Sequence, residues 1–355
     1  MPKVLFLSRY ARLGSSSRLR LYQYLPYLWD AGVDVTVAPL FGDDYVRDLY
    51  GGKVARLSVL KAYVARLGFM LRAGRFDAVW VEKEILPWVP AWLELGLFPA
   101  KVPLVVDYDD AVFHRYDQHQ SSLVRTLLGR KIDRVMLRAD LVVAGNEYLA
   151  SRARIAGAAR VEILPTVVDM ARYGVSAPES GGQAFPTIGW IGLPATAHFL
   201  HLIAPALHEV VARGLAQVVA VGANAGQLSS LPITVLPWTE ATEVTDIQRF
   251  DIGIMPLPDA PFERGKCGYK LIQYMACGKP VVASPVGVNS TIVRDGVDGF
   301  LASTHQEWVS ALTGLLADPG LRQRMGHAGR LRIENEFSLQ KAAPRFATLI
   351  DSVLK

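Results

Sequence analysis

The sequence predicts an α/β protein with two Rossmann-like domains, each a parallel sheet covered by helices. Three observations lead to this fold class. Short apolar runs bounded by Gly and Pro alternate along the chain with segments of helical periodicity. The 355 residues are enough for two domains of ordinary size. A segment rich in Pro, Ser and Gly, residues 171–186, is predicted to be the linker between them.

The composition is that of a folded protein, because 51% of the residues are apolar and only 20% are charged. No apolar run reaches the ~18 residues of a membrane span, and no signal peptide is expected. The two cysteines are consistent with a reducing cytoplasm. Residues 1–175 carry 24 Lys and Arg against 18 Asp and Glu, a net charge of +6, and the remainder carries −1. This basic half is expected to attract anionic lipid or a phosphorylated substrate. No nucleic-acid-binding module is predicted.

The first domain is predicted over residues 1–170. Its apolar runs predict strands at 3–8, 33–40, 77–81, 103–107 and 140–144. Its helical patterns predict helices at 17–31, 54–73, 85–98 and 121–138, the last two as candidates for contact with a membrane surface. The fourth strand ends in a cluster of carboxylates that includes Asp109 and Asp110. Like charges this close repel, so the cluster needs a structural or functional reason.

The second domain is predicted over residues 187–335. Its first strand, 187–191, runs into a glycine turn at Gly192, which can cradle phosphate through backbone N–H groups. Further elements are predicted as a helix at 197–213, strands at 217–222, 233–238, 251–256 and 280–284, and a helix at 268–277. Residues 305–355 are predicted to be helical with a break at 318–320, and residues 336–355 to return to the first domain.

The segment between the strands at 251–256 and 280–284 holds the most specific pattern in the chain. The start of the predicted helix favours an anion. Lys266 and Lys270 are four residues apart and would lie near one face, where two ammonium groups suit a diphosphate. Gln273 adds an amide that can bond to a hydroxyl group of a sugar or ribose. The alternative is that both lysines are solvated surface charges.

This segment resembles the donor-site motif of the family-4 retaining glycosyltransferases (glycosyl transferases group 1), which have the GT-B fold. The family pattern is Glu, seven residues, Glu, then Ala-Met-Ala-x-Gly-x-Pro-Val-Val, and residues 274–282, Tyr-Met-Ala-Cys-Gly-Lys-Pro-Val-Val, match its second half. Both carboxylates are replaced, the first by Gly265 and the second by Gln273. Glu263 could substitute for the first. The resemblance implies α/β architecture with two Rossmann-like domains facing across a cleft (GT-B).

The resemblance also implies which residues contact a nucleotide-activated sugar. The family usually has Arg and Lys after its glycine turn, where this chain has Leu193 and His198. We therefore expect the ammonium groups of Lys266 and Lys270 to bind the negatively charged diphosphate. The donor-binding candidates are Gly192, Thr196, His198, Glu263, Gly265, Gly268, Tyr269, Gln273 and Gly287. Trp238 and Thr239 are candidates for contact with the base.

On the acceptor side, the resemblance implies that the first loop and the carboxylate cluster help to place donor and acceptor. Asp109 takes the position of a family His, and we group it with Lys266 and Lys270 as catalytic candidates. The other acceptor-side candidates are Gly14, Ser15, Ser16, Arg18, Asp110 and His114. With no ligand spacing nearby, no metal site is predicted.

The chain is thus predicted to be a retaining hexosyl-type glycosyltransferase with a nucleotide-diphosphate sugar as co-substrate and no other cofactor. The expected acceptor is a polysaccharide- or lipid-linked glycan of the cell envelope or an exopolysaccharide. The enzyme would be cytoplasmic, at the inner face of the membrane, with peripheral contact through the basic first domain. The alternative is a catalytically silent protein that binds nucleotide sugar or membrane. An epimerase on a similar fold lacks an acid–base pair here.

Overall fold

The protein was analysed as a computed structural model that describes residues 1–50, 56–174 and 185–354. The chain divides into two compact units. The first unit contains residues 1–166, Gly265–Cys267 and the C-terminal segment from Leu339. The second unit contains Val167–Arg264 and Gly268–Ser338. The first unit therefore ends at Thr166, against a predicted boundary at 170, and residues 175–184 of the predicted linker lie outside the described residues.

The first unit has a parallel six-stranded sheet in the order β2-β1-β3-β4-β5-β6. Its strands are β1 (Lys3–Leu7), β2 (Asp34–Val37), β3 (Ala78–Glu82), β4 (Leu104–Tyr108), β5 (Leu141–Ala144) and β6 (Val161–Ile163). The strand order reverses between β1 and β3. The carboxyl ends of these two strands form the position at which open α/β sheets bind ligands.

The helices of the first unit cover this sheet. They are α1 (Ser15–Arg20), α2 (Leu25–Asp30), α3 (Asp43–Tyr50), α4 (Arg56–Arg72), α5 (Ala91–Gly96), α6 (His114–Asp117), α7 (Ser122–Leu128), α8 (Lys131–Arg138) and α9 (Glu147–Ile155). Short 3₁₀ turns lie at Tyr22–Tyr24 and Ala73–Arg75. The core between sheet and helices is aliphatic and aromatic.

The second unit repeats this architecture with a parallel sheet in the order β12-β11-β10-β7-β8-β9. Its strands are β7 (Thr187–Ile191), β8 (Gln217–Val221), β9 (Ile233–Leu236), β10 (Ile252–Met255), β11 (Val281–Ala283) and β12 (Gly299–Leu301). Its helices are α10 (Pro194–Ala197), α11 (Ala204–Ala212), α12 (Glu243–Gln248), α13 (Pro261–Arg264), α14 (Tyr269–Ala276), α15 (Asn289–Ile292), α16 (His305–Ala317) and α17 (Pro319–Glu336), with 3₁₀ turns at His198–Ile203 and Ala225–Leu228. The order reverses between β7 and β10, so the strand that precedes the predicted donor motif borders the switch point.

The last helix, α18 (Leu339–Leu354), belongs to the first unit. Phe346 anchors it, because this fully buried ring stacks on Tyr24 at a centroid distance of 4.3 Å and lies 4.5 Å from the Trp80 ring. The predicted break at 318–320 is confirmed, since α16 ends at Ala317 and Pro319 opens α17.

Two predicted helices are interrupted where a proline lies inside the pattern. The helix predicted at 17–31 is α1, a 3₁₀ turn and α2, and Pro26 lies in the first turn of α2. The helix predicted at 197–213 is likewise a 3₁₀ turn followed by α11, with Pro205 in its first turn. Proline lacks an N–H and so favours the start of a helix over its interior.

Two further helix predictions are wrong in extent. Only Ala91–Gly96 is helical within the predicted 85–98 helix, because Pro90 is its N-cap. The helix predicted at 121–138 is two helices that break at Gly129. Within it, Lys131 is buried rather than part of a basic surface, and its Nζ lies 3.0 Å from Glu84 Oε1. No helix among the described residues has the length and apolar character needed to cross a bilayer.

Candidate functional site

The carboxyl edge of the second sheet brings together two features that the sequence predicted separately. Gly192 follows β7, and Lys270 lies in the first turn of α14. A Cβ atom at position 192 would come within 2.5 Å of Lys270 Cε and 2.7 Å of Trp190 Cζ2, so a larger residue would force these side chains to shift. Lys270 Nζ lies 5.3 Å from the centroid of the Trp190 ring, a cation–π contact. The Lys270 ammonium is thus held beside the glycine turn.

The pairing of Lys266 and Lys270 on one helical face is wrong. The helix begins at Tyr269, and its N-cap Gly268 is left-handed with φ +63°. A Cβ at position 268 would also lie 2.4 Å from Ile292 Cδ1, so the turn requires glycine. Lys266 therefore precedes the helix and belongs to the first unit, whereas Lys270 belongs to the second.

Gln273 lies in a buried hydrogen-bond network within the second unit. Its Nε2 donates to the hydroxyl of Tyr173 at 2.9 Å, and that hydroxyl donates to Glu243 Oε1 at 3.1 Å. The hydroxyls of Tyr173 and Tyr269 are 3.4 Å apart. The indole Nε1 of Trp238 donates to Glu243 Oε2 at 3.1 Å. The structure thus connects the predicted donor-binding residues Gln273 and Tyr269 with the base candidate Trp238.

Four other donor-binding candidates lie elsewhere in the second unit. Thr196 is in α10, and its hydroxyl donates to the carbonyl of Leu193 at 3.1 Å. His198 opens the 3₁₀ turn and is exposed. Gly287 has φ +53°, and a Cβ there would lie 2.5 Å from the carbonyl oxygen of Arg264. Glu263 is half-buried in the short helix α13.

The switch point of the first unit holds a charged cluster centred on Lys83, which sequence reasoning missed. Its Nζ lies 2.8 Å from Asp109 Oδ1 and 3.0 Å from Asp110 Oδ2, and it donates to Ser16 Oγ at 3.0 Å. Lys83 has φ +63°, a left-handed conformation that costs a non-glycine residue about 1–2 kcal/mol. Lys83 thus explains how Asp109 and Asp110 can lie close together. The charged triplet at residues 82–84, directly after a buried strand, was the available signal.

Lys266 joins the same cluster, with its Nζ 3.6 Å from Asp110 Oδ1. Burial alone would raise the pKa of Asp110, but the ammonium groups of Lys83 and Lys266 outweigh burial and hold this pKa at about 2. Asp110 is therefore a carboxylate over the whole physiological range.

Position 265, where the family has its first Glu, is closed to any side chain. A Cβ there would lie 2.5 Å from Ala111 Cβ and 2.9 Å from the backbone nitrogen of Ala111. The carbonyl oxygens of Gly265 and Lys266 both accept from Asn146 Nδ2, at 2.9 and 3.1 Å. The packing of Ala111 against position 265 therefore excludes the glutamate side chain that the family has there.

The remaining acceptor-side candidates lie in two places. Gly14 is the N-cap of α1, and a Cβ there would lie 2.4 Å from Tyr10 Cβ. Ser15 is the first residue of α1, and no side chain caps this helix. Arg18 is buried rather than solvated. His114 opens α6, and its ring nitrogens lie 2.9 Å from Asp117 Oδ1 and from the hydroxyl of Tyr148.

Within residues 1–50, 56–174 and 185–354, no three His, Cys, Asp or Glu side chains are grouped so as to hold a metal ion. The expectation that the reaction needs no metal stays a prediction. The charged groups of the two switch points are lysines and carboxylates, which can bind anions and hydroxyl groups directly.

The fold is that of GT-B glycosyltransferases, as solved structures show. The chain superimposes on HepE of Anabaena, solved with UDP-glucose, with a TM-score of 0.74 and 18% identity over 99% of this chain and 100% of that one. It superimposes on sucrose-phosphate synthase of Thermosynechococcus elongatus with a TM-score of 0.74 and 16% identity over 99% of both chains. These likenesses show the fold with its two Rossmann-like domains.

Sequence comparison then confirms the expected family resemblance. Residues 186–318 match the model of the family described as Glycosyl transferases group 1. The chain is 27% identical to D-inositol 3-phosphate glycosyltransferase of Actinosynnema mirum over 231 residues, which is 55% of each chain. It is 41% identical to alpha-maltose-1-phosphate synthase of Mycobacterium tuberculosis over 75 residues, 19% of each. The chain spans about half the length of the first of these relatives. Residues 186–318 are therefore similar to the group 1 glycosyltransferases, and the whole chain has the GT-B fold.

Proposed function

We propose that the protein is a retaining glycosyltransferase whose second unit binds a nucleotide-diphosphate sugar. The observation that carries this proposal is the position of Lys270 beside Gly192 at the switch point of the second sheet. The Arg and Lys that the family has after its glycine turn are replaced here by Leu193 and His198. Lys270 instead supplies an ammonium group next to the turn at Gly192. The solved neighbour HepE, whose structure contains UDP-glucose, makes UDP-sugars the first donors to test.

In the proposed reaction, the bond between the anomeric carbon and the diphosphate breaks, and a hydroxyl oxygen of the acceptor bonds to that carbon. Negative charge develops on the departing diphosphate, where Lys270 stabilises it. The acceptor attacks from the face that the diphosphate leaves, and its proton passes to the diphosphate, so no enzyme carboxylate is needed as a base. This chemistry tolerates glycine at position 265. The roles predicted for Lys266 and Asp109 stay predictions.

For the acceptor we propose a polysaccharide- or lipid-linked glycan at the inner face of a membrane, with the first unit resting on anionic lipid. Helix α4 supports the membrane contact. Four of its apolar side chains share one face and are exposed by 61% to 74%, namely Leu57, Leu60, Val64 and Leu71. The helix contains no Asp or Glu and has exposed basic residues, which suits an anionic surface.

Vesicle co-sedimentation tests the membrane contact. Leu60→Glu should weaken binding to vesicles that contain an anionic lipid, because it places a carboxylate in the apolar stripe. The matched control is Leu331→Glu on α17, which is also exposed. Equal binding of wild type and both variants to these vesicles would contradict the contact.

A second candidate acceptor is a small phosphorylated compound. The names of the relatives favour it, since one is a D-inositol 3-phosphate glycosyltransferase and a solved neighbour is a sucrose-phosphate synthase. The net charge of +6 on residues 1–175 suits either acceptor. Product analysis with each acceptor class and a radiolabelled donor sugar separates the two.

The donor is tested by thermal unfolding against UDP-, GDP-, ADP- and dTDP-sugars. A ligand at about 100 times its dissociation constant contributes roughly 2.7 kcal/mol, or a few degrees for a protein of this size. Lys270→Ala should abolish the shift. Lys279→Ala is the matched control, because Lys279 precedes β11 at the opposite edge of the same sheet. A full shift in Lys270→Ala would refute the role of Lys270.

The rival function is a silent protein that binds nucleotide sugar or membrane without transfer. The departures at positions 193, 265 and 273 motivate it. Donor binding without any release of free nucleotide, in the presence of each acceptor class and anionic vesicles, would favour this rival over the glycosyltransferase.

A further inference from the structure

The buried carboxylate of Glu243 accepts two hydrogen bonds from different parts of the second unit. Glu243 is the first residue of α12 and is only 3% exposed. Its Oε1 accepts from the hydroxyl of Tyr173, and its Oε2 accepts from the indole nitrogen of Trp238, both at 3.1 Å. A carboxylate buried this deeply is stable only with such donors. Glu243 therefore fixes two neighbouring side chains as donors.

The direction of these bonds sets the orientation of a third side chain. The carboxylate can only accept, so the Tyr173 hydroxyl gives it its single proton and keeps its lone pairs for other partners. The partner at 2.9 Å is the amide of Gln273, which must then present its NH₂ group to the hydroxyl. Burial raises the pKa of Tyr173 well above its ordinary value, so the hydroxyl keeps its proton.

We infer that Tyr173 and Glu243 are positioning residues that hold the Gln273 amide with its carbonyl oxygen available to a ribose hydroxyl of the nucleotide. This inference rests on the proposed function, and it deepens it by naming two residues outside the motif that set which end of the Gln273 amide faces the nucleotide. Gln273 is itself only 3% exposed and lies on α14 one turn after Lys270, the proposed diphosphate contact. The chain of hydrogen bonds from Glu243 through the Tyr173 hydroxyl to the Gln273 amide, here called the relay, thus places a hydrogen-bond acceptor on one side of the donor site.

The relay is specific in its chemistry. An amide that can rotate would accept from, or donate to, a hydroxyl equally well. An amide locked by Tyr173 turns its NH₂ group towards that hydroxyl and its carbonyl oxygen to the opposite side, so a ligand group on that side must donate. Fluorine has nearly the size of a hydroxyl but cannot donate a hydrogen bond. Replacement of the ribose hydroxyl by fluorine therefore reports which end of the amide faces the nucleotide.

Calorimetry on the full chain tests the relay. The probe is the ribonucleoside diphosphate of the donor that stabilises the wild type, UDP first, with its 2′- and 3′-deoxy and deoxyfluoro forms. In the wild type, the deoxy and fluoro forms at one of these positions should bind about tenfold more weakly than the parent, because a polar site rejects an analogue that leaves its group unpaired. In Tyr173→Phe, the fluoro form should come within about threefold of the parent, because the amide can now turn its NH₂ group to the fluorine.

Glu243→Gln is the second variant, since it keeps the size of the side chain and removes the charge that fixes the donor direction. It should reduce the fluoro penalty in the same way. Tyr274→Phe is the matched control. It also removes a buried hydroxyl in α14, one that accepts from the backbone N–H of Ile191 at 2.9 Å. It should lower stability and leave the fluoro penalty unchanged.

The outcomes separate the inference from the proposed function. If the wild type binds no nucleoside diphosphate, the proposed function fails. If it binds one without a penalty for any deoxy form, or if Tyr173→Phe and Glu243→Gln both keep the full fluoro penalty, donor binding stands and the positioning role of Tyr173 and Glu243 is overturned.

Discussion

Removal of the Lys83 charge is the sharpest test of the first unit. Lys83→Met keeps most of the apolar stem and deletes the ammonium that faces Asp109 and Asp110 at 2.8 and 3.0 Å. Lys266 remains near Asp110 at 3.6 Å, so one positive group is left against two carboxylates. The variant should therefore be destabilised by charge rather than by a cavity.

The size of the effect follows from the Asp110 carboxyl, whose side chain is 23% exposed. Its pKa falls from 3.8 to about 2 in the folded protein. At about 1.4 kcal/mol per pKa unit, this corresponds to roughly 2.5 kcal/mol, shared between Lys83 and Lys266. Asp109 adds a second pair, and broken buried pairs typically cost about 3–5 kcal/mol. We expect Lys83→Met to lose about 3 kcal/mol near pH 7.5.

The pH dependence has a definite sign. A carboxyl whose pKa is lowered by folding contributes stability above its unfolded pKa and loses it as the pH falls through the folded value, here about 2. In the variant, the pKa of the Asp110 carboxyl is lowered less. The carboxyl is therefore protonated at a higher pH, and its protonation removes the repulsion from Asp109. The difference between wild type and variant should therefore be full above about pH 5 and shrink as the pH falls towards 3.

Urea unfolding at pH 7.5, 5 and 3.5 measures this difference. The matched control is Arg47→Met, which removes a positive charge 2.7 Å from Asp44 in a pair exposed by 65% and 97%. It should cost under about 0.5 kcal/mol at each pH. Equal losses in the two variants, or a loss in Lys83→Met that is constant with pH, would refute the charge argument.

Three further predictions concern packing. Phe346→Ala should cost about 3–5 kcal/mol in urea unfolding, because it removes a fully buried ring that anchors α18. Gly192→Ala should weaken nucleotide binding at least about tenfold in calorimetry, since its Cβ would displace the Lys270 stem, and unaltered affinity would contradict this placement. Gly265→Ala should lower the free energy of unfolding by about 1–3 kcal/mol, because its Cβ would press on the Ala111 backbone, and an unchanged urea midpoint would contradict it.

Much of the fold was predictable because apolar periodicity and turn residues carry local information. The strands predicted at 3–8, 103–107 and 140–144 are observed within one or two residues. Helix extents were less predictable, because Pro26 and Pro205 begin helices inside patterns that read as continuous. The period of a sequence shows which face is apolar, but it does not show where the backbone changes direction.

The site was only partly predictable, because its key contacts join residues far apart in the chain. Lys83 and Asp109 are separated by 25 intervening residues, and the bond between Tyr173 and Gln273 spans 100 positions. Spacing within a motif could not reveal either contact. The sequence pattern places Gly192 directly after one strand and Lys270 in the loop-and-helix segment that follows another, and the parallel sheet brings the carboxyl ends of both strands to one edge.

The two departures from the family motif are each matched by neighbouring residues. Gly265 allows the close approach of Ala111, and a glutamate could not occupy its place without movement of the backbone. Gln273 replaces a carboxylate, and its amide donates to the Tyr173 hydroxyl, which in turn donates to Glu243. We therefore propose a donor site with an amide in place of the second carboxylate, and product analysis decides whether transfer follows binding.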